Sequence, residues 1–77
     1  MTRLPVVSAK VMERVLLHLG FQRVRQKGSH AFYRHPDGRT TTVPHHADRD
    51  LARPLIREIL REVKITPDEY VGILSKL

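Results

Sequence analysis

Two turn signals fix the middle of this chain. Lys27-Gly28-Ser29 and Pro36-Asp37-Gly38-Arg39 are built from residues that reverse a backbone, because proline pre-sets φ and glycine supplies a positive φ. They separate three short extended segments: Phe21 to Gln26, His30 to His35, and Thr40 to Val43. The last is a β-branched run, which favours a strand over a helix, and Pro44 stops it. Three such segments joined by turns predict a three-stranded antiparallel sheet. Alternation along the strands puts Val24, Phe32, Thr41 and Val43 on the covered face, and Tyr33 on the other face with Arg23 and Arg25.

Helices bracket this sheet. Ser8 is placed to cap a helix from Ala9 to Leu19, with Val11, Val15, Leu16 and Leu19 on one stripe and Lys10, Glu13, Arg14 and His18 facing away. Gly20 ends it, and Phe21 supplies the apolar contact just beyond. After a polar loop from His45 to Asp50, a second helix runs to about Val63 on the stripe Leu55, Ile56, Ile59, Leu60 and Val63. Pro54 fits only its first turn, and Asp48 and Asp50 are the expected caps. Thr66-Pro67-Asp68-Glu69 is a capping box that opens a last helix, with Tyr70, Ile73, Leu74 and Leu77 on its buried side. The expected order is α-β-β-β-α-α, an α+β fold with helices on one face of the sheet.

Seventy-seven residues make one domain, 1–77, with a core too thin for a deep pocket. Any active site is therefore expected at the surface, acting on a large substrate. The formal net charge of +6 favours a polyanion through attraction and counterion release. The absence of cysteine excludes a disulfide framework and thiolate chemistry. No apolar run approaches the ~20 residues of a membrane span. The N-terminal segment lacks a signal-peptide pattern, so a cytoplasmic protein without membrane attachment is expected.

The densest basic stretch is Arg25-Gln26-Lys27-Gly28-Ser29-His30-Ala31-Phe32-Tyr33-Arg34. It holds one histidine, the side chain that exchanges protons near neutral pH, beside a glycine turn among cations. His30 is thus either a proton-transfer group poised at a phosphate or a histidine packed at a strand start. Arg23, Arg25, Lys27 and Arg34 are candidate phosphate contacts. Gly28 gives room for the turn or for a close phosphate, and Ser29 can bond a phosphate oxygen or simply shape the turn. Tyr33 can stack on a splayed base or pack on arginine stems. His35, His45 and His46 make a poor metal set, because adjacent histidines in an extended segment point to opposite faces and no acidic partner recurs at helical spacing. No cofactor is expected.

Gly20-Phe21, Arg25-Gln26-Lys27-Gly28-Ser29-His30, Val43-Pro44-x-His46 and Ile59-Leu60-Arg61 fall in an order that resembles HicA-type toxins. The resemblance runs from Ser8 to about Leu74, and its specific part is the Gly-Ser-His step. It implies a fold like double-stranded-RNA-binding domains. It also implies a ribosome-independent mRNA interferase silenced by a cognate HicB-like antitoxin. The family's catalytic histidine carries over onto His30, which would take the proton of a ribose 2′-hydroxyl without a metal ion. One departure is plain: Arg53-Pro54 stands where the family usually has Gly-Thr. Two other readings fit the same chain. A non-catalytic RNA-binding module would use Arg49, Arg53 and Arg57 near the second helix, and a small adaptor would only dock another protein.

Overall fold

The computed structural model describes residues 4–47 and 49–77. Its order is α1 (Ala9–Leu19), β1 (Gln22–Lys27), β2 (His30–Arg34), β3 (Thr40–Pro44), α2 (Arg53–Val63) and α3 (Pro67–Leu74). The strands form one antiparallel sheet in the order β1-β2-β3. This is the α-β-β-β-α-α arrangement that the turn signals and caps predict. No described helix is long and apolar enough to cross a membrane.

The local signals act where the sequence places them. The Ser8 hydroxyl accepts from the Val11 amide at 3.2 Å, and Gly20 closes α1 at φ 100°. The Thr66 and Glu69 side chains satisfy each other's backbone amides at 3.1 and 2.8 Å, completing the capping box of α3. The cap expected for α2 is different. Ala52 occupies the N-cap without a side-chain bond, and Asp50 instead makes a backbone bridge with Ser8. Asp48 lies outside the described residues. Arg53 serves structure, its Nε donating to the Leu4 carbonyl at 2.9 Å.

The helices cover one face, with α1 and α2 against β3 and α3 against α1. Met12, Val15, Leu16, Ile56, Ile59, Val63 and Tyr70 form the helical side of the core, and Ala31, Tyr33, Thr41 and Val43 form the strand side. Thr41 satisfies its buried hydroxyl on Glu62 at 2.7 Å.

Alternation in β1 and β2 is therefore corrected. Tyr33 is only 1% exposed, Phe32 is half-buried on the opposite face, and Val24 is 58% exposed. Two features explain the inversion. Tyr33 pairs with Thr41 and Ala31 with Val43, so the inward parity of β3 carries into β2. A bulge between Arg23 and Arg25 takes Val24 out of the ladder, and no residue of β1 is buried. The same inversion resolves His30, which shares Phe32's parity and is exposed on the face without helices. Leu77, expected inside, is 39% exposed.

Candidate nucleic-acid interface and active site

The open face of the sheet is assembled by register. Lys27 lies opposite His30, Arg25 opposite Phe32, and Gln22 opposite Arg34; on the other side of β2 stand Pro44, Thr42 and Thr40. The strands contain no Asp or Glu. Arg25, Lys27 and Arg34 are exposed, and among the described residues none of them has a carboxylate ion-pair partner. His30 therefore projects from a surface of uncompensated positive charge, open to a long strand passing over it. Four of the residues singled out from sequence thus share one face: Arg25, Lys27, His30 and Arg34.

Gly28 and Ser29 form the turn that delivers His30. Gly28 sits at φ 58° with open space where a Cβ would be. The turn's left-handed conformation, rather than crowding, is what requires glycine, since another residue there costs ~1–2 kcal/mol. The Ser29 carbonyl accepts from the His45 amide at 2.6 Å, fastening the turn to the segment after β3.

Arg23 and Tyr33 do different work from that expected. Tyr33 is buried, so its ring cannot meet a base from outside. Its hydroxyl donates to Glu13 and lies 2.9 Å from His45 Nε2. Arg23 pairs with the same Glu13 carboxylate and donates to Gln26 at 2.6 Å. Gln26 in turn donates to the Gly28 carbonyl at 3.1 Å. Glu13, read from its helical position as facing away, is the hub of a polar knot that joins α1 to β1, β2 and the segment after β3 and braces the His30 turn. Only the spacing of Glu13 on α1 was visible in sequence. Its partners lie ten, twenty and thirty-two residues further along the chain.

Hydrogen-bond accounting assigns the protons in this knot. Tyr33 has one proton and gives it to the ionised Glu13, which leaves its oxygen as the acceptor facing His45 Nε2. Burial alone would raise the pKa of Glu13; hydrogen bonds from Tyr33 and Arg23, with the charges of Arg23 and His45, outweigh it and hold the carboxyl below its ordinary value. Burial and the Arg23 charge push the His45 pKa down, against the pull of Glu13. Burial and the bond to Glu13 raise Tyr33 to about 12, so it stays a neutral phenol.

Both lowered pKa values favour the fold at higher pH. The unfolded chain takes up a proton on His45 below its ordinary value of about 6.5, and on Glu13 below about 4.5, before the folded chain does. Stability should thus fall as pH drops from neutrality through His45, and again through Glu13. Urea melts from pH 7 to about pH 3 should show both losses, the second running below pH 4.5. His45→Gln, which keeps a donor for Tyr33 but cannot titrate, should remove the first; an unchanged profile would place His45 outside the knot.

The other histidines separate. His35 Nε2 lies 3.1 Å from the Leu19 carbonyl at the end of α1, and its ring meets Phe21 edge-on at 5.1 Å. His46 lines a cleft with Lys10, His45 and Arg49 between the start of α1 and the β3–α2 loop. No group of three or more metal-ligating side chains occurs among the described residues.

Against known proteins, the family model described as HicA toxin of bacterial toxin-antitoxin matches residues 9–65. That span runs from the first residue of α1 to just past α2 and includes the whole sheet. No curated protein matches the chain.

Proposed function

The chain belongs to the HicA toxin family, and from that premise, together with the open basic face around His30, we propose that it is a metal-independent endoribonuclease that cuts single-stranded mRNA. The observation that carries the reading is the exposure of His30 among Arg25, Lys27 and Arg34 on a sheet face without carboxylates. The three cations hold the phosphodiester across the strands. His30 takes the proton from a ribose 2′-hydroxyl, and the oxygen attacks the adjacent phosphorus. The bond from phosphorus to the 5′ oxygen breaks, and that oxygen takes a proton from solvent. The products are a 2′,3′-cyclic phosphate and a 5′-hydroxyl.

The nucleophile belongs to the substrate, and arginine can offset the charge that grows on phosphate, so the step has no need of a metal ion. No ribosome is required either, because the face is open to free RNA. As a toxin of a toxin–antitoxin pair the protein has an antitoxin partner. A HicB-like antitoxin in the cytoplasm would silence it by covering the cations that RNA uses.

Incubation of the purified protein with a long unstructured RNA in excess chelator tests this. Cleavage with cyclic-phosphate and 5′-hydroxyl ends is expected, and three phosphate contacts should give a log–log salt slope for RNA affinity of about −2. Binding without cleavage would instead favour a non-catalytic module.

A further inference from the structure

The proposed cleavage step makes no use of the aromatic ring on the open face. The chain has two tyrosines and two phenylalanines. Phe21, Tyr33 and Tyr70 are at most 1% exposed and belong to the core, which leaves Phe32 as the aromatic side chain offered to solvent. It occupies the central position of the central strand, half-buried, between His30 and Arg34 on the same face. The Arg25 guanidinium lies 5.4 Å from its ring centroid.

We propose that Phe32 and Arg25 form a binding site for one unpaired nucleobase beside the phosphate held at His30. This rests on the reading of the open face as an RNA surface. Aromatic rings and guanidinium planes are the two side-chain surfaces on which splayed bases stack, and such stacking tolerates any base. Residues two apart on a strand stand about 7 Å apart on one face, so a base on Phe32 lies next to His30. Arg25 and Lys27 flank the pair on β1 and Thr42 on β3. The surrounding cations make this a place for a base attached to phosphate rather than for an apolar side chain.

The test uses an unstructured oligoribonucleotide whose 2′-hydroxyls are all methylated, so that it cannot be cut, with 2-aminopurine at successive positions. The parent protein should quench the fluorescence of a bound 2-aminopurine. Phe32→Leu should abolish that quenching and weaken binding about five- to a hundredfold, while the salt dependence stays the same. Phe32→Tyr should restore both. Thermal melts of each variant confirm that it is folded. If Phe32→Leu binds and quenches like the parent while Arg34→Gln or Lys27→Gln weakens binding, the base site is overturned and the RNA surface stands. If the parent does not bind the oligonucleotide, the base site and the RNA surface both fall. Loss of antitoxin binding alone in Phe32→Leu would make the ring a protein-docking residue and overturn the proposal.

Discussion

Tyr33→Ala will cost the domain a large part of its stability, whereas Phe32→Ala, one residue away, will cost clearly less. Tyr33 is 1% exposed on the helix-covered face of β2, and Phe32 lies on the face without helices. Removing a buried aromatic side chain costs ~3–5 kcal/mol, and here it also takes the hydroxyl that Glu13 and His45 share. A domain of this length is stable by only ~4–12 kcal/mol. Removing Phe32 costs about 1–2 kcal/mol, because its ring is only partly covered, on the face without helices. Tyr33→Phe separates the two contributions: it keeps the packing and loses the polar knot, at a cost of ~1–3 kcal/mol. Urea midpoints of the three variants decide the matter. A larger loss in Phe32→Ala than in Tyr33→Ala would mean that the assigned inner face is wrong.

That comparison also marks how far the sequence could be read. Most signals confined to a few neighbouring residues found their place: the Ser8 cap, the Gly20 stop, the two turns, the proline-led starts of α2 and α3, and the capping box; the aspartate cap expected for α2 did not. These succeed because a cap or a turn is decided by bonds within one backbone turn. The face of β2 was not decided locally. Ala31, Phe32 and Tyr33 are apolar or aromatic in succession, so alternation alone does not choose between them. The choice comes from pairing with β3: His35 and Arg39 close a loop of Pro36, Asp37 and Gly38, which sets Arg34 against Thr40 and hence Tyr33 against Thr41. Counted as a four-residue turn, Pro36–Arg39 would instead set Phe32 against Val43, so the inner face turns on one residue of loop length.

The candidate site divides in the same way. Arg25, Lys27, His30 and Arg34 were legible as one basic run around a glycine turn, but alternation had set Arg25 on the face opposite Phe32 and His30, and the β1–β2 register is what gathers them. The bond of Arg23 to Glu13 was not, because a bulge and a helix ten residues earlier determine it. The place of Tyr33 followed from that of Glu13. Burying a tyrosine hydroxyl is acceptable only where a partner waits, and the partner sits on another element.

His30→Ala will keep the fold and most RNA affinity, yet lose cleavage. The ring is exposed, so its removal should change stability by no more than ~0.5 kcal/mol. Arg25, Lys27 and Arg34 stay in place to bind phosphate, and the antitoxin should still bind. Loss of a general base lowers a rate by ~10²–10⁴-fold. The most direct measurement is the single-turnover cleavage rate of an unstructured RNA, at saturating protein, for the parent and for folded His30→Ala. The expected result is a rate lower by at least about a hundredfold at nearly unchanged RNA affinity. Equal rates for the two proteins would contradict the assignment of His30 and return the chain to an RNA-binding surface without its own chemistry.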